Sequence, residues 1–423
     1  MQKPSDLYNP QGPLETRLMQ ILPYSGPPKI APCAITSILP CKITIHPFTH
    51  SPILPFTLPP STTMELGIIG LPNSSKTTIF NALTRGDQPT SATSSGKLEF
   101  HTAVVDVPDP RVDALSALFK PRKTTYAKVT YTDIAGLDQG MAQKGLSGQL
   151  RHRLSQMDAF IHVLRAFDDS SVSHPLGTIN AQRDLEILEQ EMILLDLLAV
   201  QSRLERIAES IKRAKKGEER QLLEQEQTLF ERLQAALEAE TPLRDIEIGD
   251  EELIGLRGFG FLTLKPVLVL LNTGEERLPP ERFIAYSHRH TVIMSLQGKL
   301  EMEIAQLDPE EAAVFMEEFD IAEPALDRMI RTSYDLVGLQ SFFTVGEDEV
   351  RAWTVRKGAT ALEAAGAIHS DLARGFIRAE VVAYEDLIAA GSMAEAKKAA
   401  ALRLEGKEYP VKDGDILHVR FSP

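Results

Sequence analysis

The sequence predicts an α/β domain with a parallel sheet, interrupted by an inserted helical hairpin and followed by a small β-rich unit. Three observations predict it. An apolar strand, a Gly/Ser loop and an amphipathic helix succeed one another over 65–83. Two later strand patterns, at 127–132 and 267–271, end in the polar turns Asp133-Ile134-Ala135-Gly136 and Asn272-Thr273-Gly274-Glu275. Between Gln182 and Glu240 the hydrophobic period changes to that of a helix amid Glu, Gln, Lys and Arg.

Composition bounds the function. The chain has 423 residues and a net charge of −14, which argues against wholesale coating of nucleic acid or of an anionic membrane. No apolar run reaches the roughly 18 residues of a membrane span. Cys33 and Cys41 are the only cysteines, so a disulfide scaffold is excluded and a cytoplasmic address is favoured.

Residues 1–63 differ from the rest. They hold 13 of the 27 prolines, both cysteines and only six charged residues. Proline removes donors and fixes φ, so no regular element can propagate there. Neither the unbroken apolar run of a signal peptide nor the Arg-rich pattern of a transit peptide is present. Two readings stand: a disordered Pro-rich extension, or an upstream stretch before a true start at Met64.

Glu65–Ile69 reads as a short buried strand, and Gly70-Leu71-Pro72-Asn73-Ser74-Ser75-Lys76-Thr77 follows it, ahead of the helical apolar positions Ile79, Phe80 and Leu83. Strand, loop and helix in this order make a phosphate-binding loop, because backbone N–H groups and a helix N-terminus then face the anion. Gly70, Asn73, Ser74, Ser75, Lys76, Thr77 and Thr78 are the expected nucleotide-binding residues. Lys76 reaches the β and γ oxygens, and the Thr77 hydroxyl is a Mg²⁺ ligand. Ser75 stands where the usual G-x-x-x-x-G-K-[ST] pattern has its second glycine, which weakens the motif.

Asp133 ends the second strand and is expected to hold Mg²⁺ directly or through water. Gly136 lets a backbone N–H approach the γ-phosphate. Leu137 follows where a water-orienting Gln would stand, and Leu cannot hydrogen-bond. The third strand end reads N-x-x-E where guanine-specific proteins have N-K-x-D. With Thr273 for Lys and Glu275 for Asp, the carboxylate fork for guanine is lost, so ATP is expected to bind at least as well as GTP. Ser295, near the end of Ile293–Leu296, sits where a strand-end hydroxyl touches the base, or is simply a polar residue ending a buried strand.

The helical run breaks at Lys215-Lys216-Gly217-Glu218, which fits a coiled-coil hairpin. A projecting hairpin buries only its own seam and so offers faces to a partner. Residues 341–423 mix short strands with helix, as in a ubiquitin-like β-grasp. They carry 11 Lys/Arg and 13 Asp/Glu, nearly balanced, whereas 64–340 is net −14. The balanced unit is the expected RNA-facing side, although it lacks the basic excess of a dedicated RNA binder.

These motifs together resemble the Obg-like ATPases of the YchF type. Pro108-Asp109-Pro110-Arg111-Val112-Asp113 and Phe342-Phe343-Thr344-Val345-Gly346 add to the likeness, which covers about 64–423. The resemblance implies a P-loop NTPase (G-domain) fold over 64–180 and 243–340, a helical insertion over 181–242 and a C-terminal TGS domain over 341–423. It further implies ATP in preference to GTP, Mg²⁺, and association with the ribosome or ribosomal RNA through the TGS domain and the hairpin. A monomer is expected, with neither DNA nor membrane as partner. The family also places a catalytic His in the loop after an R-x-F strand end. In Arg165–His174 that residue is His174, whose bland alternative is a solvated His in the turn before Pro175. The departures are Ser75, a missing switch-I motif in Thr90–Thr102, and a switch II reduced to Gly140, Lys144, Gly145, Leu146 and Gly148. They favour slow hydrolysis, with a catalytically weak, nucleotide-gated ribosome adaptor as the alternative.

Overall fold

The computed structural model describes residues 64–86, 100–134, 148–274 and 278–422. The Pro-rich head, most of the switch-I stretch, Gly136, Leu137, Gly140, Lys144, Gly145, Leu146 and Glu275 lie outside them. The described residues all fall in one compact unit, Ile53–Pro423.

The elements of the first sheet are β1 (Glu65–Ile69), β2 (Phe100–Asp106), β4 (Lys128–Ile134), β5 (Ala159–Ala166), β6 (Val267–Thr273) and β7 (Thr291–Leu296). They lie in the order β2-β4-β1-β5-β6-β7. Only β2 runs antiparallel to its neighbour; β4, β1, β5, β6 and β7 are parallel. A parallel sheet is covered on both faces, so its central strands are buried on both sides. β6 is buried along its whole length. Because the strands share direction, the loops after β1, β4, β5, β6 and β7 collect at one edge, where ligands of open α/β sheets bind. The helices packed on this sheet include α1 (Lys76–Thr84) and α3 (Gly148–Gln156), while α2 (Pro110–Phe119) leads from β2 toward the second sheet.

Helices α4 (Ala181–Arg213) and α5 (Glu218–Glu238) fold back on each other. At its root α4 packs Leu185 and Leu188 against Leu71 and Leu164. Further out, Val200 and Ile207 meet Phe230, Leu233 and Leu237 along the seam. Arg203 forks onto Glu226 across it, both bonds 2.8 Å. Asp196 of α4 is buried and accepts from the Leu262 and Thr263 N–H groups (2.9 and 2.7 Å) and the Thr263 hydroxyl (2.7 Å). Burial pushes its carboxyl up to about 6, against those hydrogen bonds.

The second sheet holds β8 (Leu339–Thr344), β9 (Glu349–Arg356), β10 (Phe376–Ala383), β11 (Arg403–Glu405) and β12 (Asp415–Phe421), in the order β11-β10-β12-β8-β9-β3. Its last strand, β3 (Lys123–Thr125), comes from the first half of the chain and pairs in parallel with β9, Thr124 opposite Val350. Arg111 of α2 strengthens this junction. Its guanidinium bonds Asp109 and, at 2.7 and 3.2 Å, Asp413 of the turn before β12, and it lies over the Phe343 ring. Among the described residues no helix is long and apolar enough to cross a membrane.

Candidate nucleotide site

The loop between β1 and α1 is shaped by steric exclusion. A Cβ at Gly70 would lie 2.4 Å from the Val163 carbonyl oxygen and 2.7 Å from Ser74 Oγ, so only glycine fits there. Asn73 (φ +61°) and Ser75 (φ +73°) both take the left-handed region. Ser75 therefore adopts the backbone that the missing glycine would supply, at a cost of about 1–2 kcal/mol for an L residue. Lys76 Nζ donates to the Gly70 and Leu71 carbonyls at 2.9 and 2.8 Å, which lays the ammonium across the loop. Ser74 is buried, and its Oγ has no protein partner. Thr78 sits half-buried in the first turn of α1.

Asp133 comes in from β4. The Thr77 hydroxyl donates to its Oδ2 at 2.8 Å, while Oδ1 is buried with no hydrogen-bond partner. Burial raises this carboxyl above the usual carboxylate range; the Thr77 bond and the charges of Lys76 and His101 oppose the rise. An orphaned carboxylate oxygen beside a hydroxyl and an ammonium, at a helix N-terminus, fits a Mg²⁺–triphosphate. Thr77 and Asp133 are the residues that would hold the ion, since a hard cation takes oxygen ligands.

A third element reaches the same edge from β5. Arg165 is 2% exposed, and its guanidinium donates to the Phe167, Asp169 and Val172 carbonyls (3.2, 3.2 and 2.9 Å) while lying over the Phe167 ring. This clasp fixes the course of the loop that follows. Asn73 Nδ2 donates to the Ser173 carbonyl at 3.1 Å and ties that loop to the phosphate loop. The next residue is His174. Its side chain is only 4% exposed, and its Nε2 lies 2.8 Å from Asp184 Oδ2. The picture of a solvated turn histidine therefore does not hold: the ring is packed and partnered. The sequence reading missed Asp184 and the hub role of Arg165. An arginine ending an otherwise apolar strand was the available signal for the latter.

At the base end, Asn272 is buried at the tip of β6, and its Oδ1 accepts the Gly298 N–H at 2.9 Å. Gly298 opens α6 (Gly298–Gln306), and a Cβ there would stand 2.8 Å from that oxygen. The Thr273 hydroxyl turns inward and donates to the Leu296 carbonyl at 3.1 Å. The half-buried Ser295 hydroxyl makes a long contact, 3.5 Å, to the Leu278 carbonyl. The structure thus brings Gly70, Asn73–Thr78 and Asp133 to one sheet edge, and sets Asn272 and Ser295 at the ends of the next strands.

A model of a 50S ribosome-binding GTPase matches residues 65–198. The YchF-GTPase C-terminal model, which is described as a protein of unknown function, matches residues 339–422. The ribosome-binding ATPase YchF of Bacillus subtilis is 41% identical over 369 residues, covering 85% of this chain and 99% of the relative. That of Escherichia coli O157:H7 is 38% identical over 365 residues with the same coverage. The solved YchF GTPase of Schizosaccharomyces pombe is 29% identical, with a TM-score of 0.73 over 85% of this chain and 98% of that one.

Proposed function

The chain belongs to the YchF family, and from that premise we propose that it is a Mg²⁺-dependent nucleoside triphosphatase, preferring ATP, that cycles slowly as a regulatory switch on the ribosome. The single observation that carries this reading is the Lys76–Thr77–Asp133 constellation with its orphaned carboxylate oxygen. Mg²⁺, when bound, supplies charge neutralisation for the phosphates. Lys76 exchanges its two carbonyl partners for β and γ oxygens, and the α1 N-terminus receives the anion. The Gly136 N–H is assigned to the γ-phosphate. His174 is assigned to position or deprotonate the attacking water, a role that Leu137 cannot fill.

The base end supports ATP preference. Thr273 is committed to a backbone carbonyl, so no lysine stem covers the base there. Glu275, one methylene longer than Asp, does not reproduce the carboxylate fork that guanine requires. Asn272 and Ser295 are assigned to the base as general polar contacts.

For the partner, the tip of the hairpin supports RNA. Lys212, Arg213, Lys215 and Lys216 are exposed within five residues on a chain of net charge −14. Concentrated cations at the end of an arm suit a phosphate backbone. The C-terminal unit, read as a TGS domain, is the second contact. The protein acts in the cytoplasm as a monomer, with neither DNA nor membrane as partner.

The alternative, a nucleotide-gated adaptor of weak catalysis, is favoured by one observation: both His174 ring nitrogens are engaged. Equilibrium titration with fluorescent ATP and GTP, with and without Mg²⁺, tests the main reading. Tight ATP binding that needs Mg²⁺, and that Asp133→Asn weakens in the presence of Mg²⁺, is the expected result. Mg²⁺-independent binding, or a tenfold preference for GTP, would overturn it.

A further inference from the structure

His174 is held from two sides by two different elements. Its backbone follows Ser173, which is tied to Asn73 of the phosphate loop and lies just beyond the Arg165 clasp. Its ring is held by Asp184 of the hairpin on one side and by the backbone of its own turn on the other. The Leu176 N–H donates to Nδ1 at 3.2 Å, so Nδ1 is the bare nitrogen and Nε2–H donates to Asp184 Oδ2. With both nitrogens occupied and the side chain 4% exposed, the ring in this conformation has no atom to offer a water molecule.

Asp184 is itself anchored. Its Oδ1 accepts from Arg183 Nε and Nη2 at 3.0 and 2.8 Å, and the same guanidinium grips Thr178 Oγ1 and its carbonyl at 3.0 and 2.6 Å. Asp184 lies in the first turn of α4, the helix whose far end is the tip of the hairpin. Asn180 caps that turn by accepting the Arg183 N–H at 3.1 Å. A rigid helix of this length moves its ends together. Tilting the arm therefore shifts the carboxylate, with the Thr178 end of the loop that Arg183 grips, relative to the Ser173 end, which Asn73 and the Arg165 clasp hold.

We propose that Asp184 is a positioning residue for His174: it fixes the Nε2–H tautomer and keeps the ring retracted against the root of the hairpin, so that displacement of the arm releases the ring toward the γ-phosphate. This rests on the reading of His174 as the residue that positions water. These contacts account for the slow basal rate expected of the isolated chain, because the active arrangement is then the minor one. If it is populated to about a tenth, removing the hold raises turnover by up to about tenfold.

The test uses the full chain and two readouts. ¹⁵N-histidine NMR should show His174 as a single Nε2–H tautomer in the parent and a tautomer mixture in Asp184→Ala, with Asp184→Asn between them. Basal ATP turnover should rise by up to about tenfold in Asp184→Ala at unchanged ATP affinity, and the rise should vanish in Asp184→Ala/His174→Ala. Should the alanine variant fail to fold, judged by its melting curve, Asp184→Asn carries both readouts, since its amide keeps the shape and loses the charge. A parent imidazole that averages between tautomers would overturn the hold. So would a folded Asp184 variant whose turnover is unchanged or lower. A tautomer change with His174→Ala turning over at the parent rate supports the hold and overturns the catalytic reading of His174 alone.

Discussion

At the phosphate end of the site, one continuous stretch from Gly70 to Thr77 supplies the loop, the ammonium and the hydroxyl, and Asp133 arrives from β4. At the base end, Asn272, Thr273, Ser295 and Gly298 come from two strands and a helix: Asn272 accepts the Gly298 N–H, whereas the Thr273 and Ser295 hydroxyls turn to the Leu296 and Leu278 carbonyls. On the proposed function, the first region would meet a fixed anion with backbone geometry and so tolerate little change. The second would meet a planar base through side chains at separate strand ends, and could be retuned without disturbing the loop. The comparison predicts that substitutions at the phosphate end remove binding, whereas those at the base end redirect it.

The largest effect is expected at Lys76. Two charge-assisted hydrogen bonds to phosphate oxygens are worth roughly 3–6 kcal/mol together. Lys76→Ala should therefore weaken triphosphate binding by at least about a hundredfold, as read by fluorescent-nucleotide titration, with an unchanged melting temperature. Parent affinity in this variant would mean that the phosphates are held elsewhere, and the contrast between the two ends would collapse.

The next effect concerns the strand that supports both ends. His162 of β5 is fully buried, neither ring nitrogen has a hydrogen-bond partner, and burial lowers its pKa to about 4. Glu189, 3.7 Å away, pulls it up, and Arg244 pushes it further down. Above the ordinary value of 6.5 both folded and unfolded chains hold a neutral ring, and the stability contribution is fully present. Below it the unfolded chain takes up a proton that the folded chain refuses, so stability falls as pH drops, until about 4. The slope is at most about 1.4 kcal/mol per pH unit. Urea midpoints at pH 7.5 and 5.5 should diverge less in His162→Leu than in the parent. An equal acid loss in both would show that the ring is not held neutral.

At the base end the effect should be one of preference. Glu275→Asp with Thr273→Lys restores the residue types of a guanine fork and should shift the ATP-to-GTP affinity ratio toward GTP by about tenfold, or roughly 1.4 kcal/mol. Competition titration reads the ratio directly. An unchanged ratio would mean that Asn272 and Ser295 decide the base, which sharpens the division of labour inside that end.

How legible these regions were follows from how local they are. Gly70, Lys76 and Thr77 could be read because a strand, a tight loop and a helix announce them within a dozen consecutive residues. Asp133 was readable because a buried strand ending in Asp-x-x-Gly is short-range too. Asp184 was not: its partner His174 lies ten residues away across a turn, and an Asp in a first helical turn looks like an ordinary dipole partner. Nor was β3 legible. Lys123-Thr124-Thr125 has no apolar alternation, and its partner strand lies more than two hundred residues away. Only tertiary context creates such elements.

The smallest effect is expected at Ser75, and it bears on whether the loop still functions as a triphosphate cradle. If this serine had distorted the loop, the backbone at that position would have left the left-handed region; instead φ is +73°. The glycine-like path is therefore retained, and what serine adds is a local steric cost of about 1–2 kcal/mol. Ser75→Gly relieves that cost but gives the unfolded chain about 0.4–1 kcal/mol of extra entropy. The two nearly offset, so the melting temperature should rise by no more than about 2–4 °C, and ATP affinity should change by less than about fivefold. Calorimetry and the nucleotide titration read the two quantities separately. A hundredfold gain in affinity would mean that the serine side chain obstructs the phosphates themselves, and would move the molecule toward an adaptor whose loop has lost its ligand. A small change leaves the phosphate end as it stands: a working cradle in which the backbone, and not the residue name, carries the recognition.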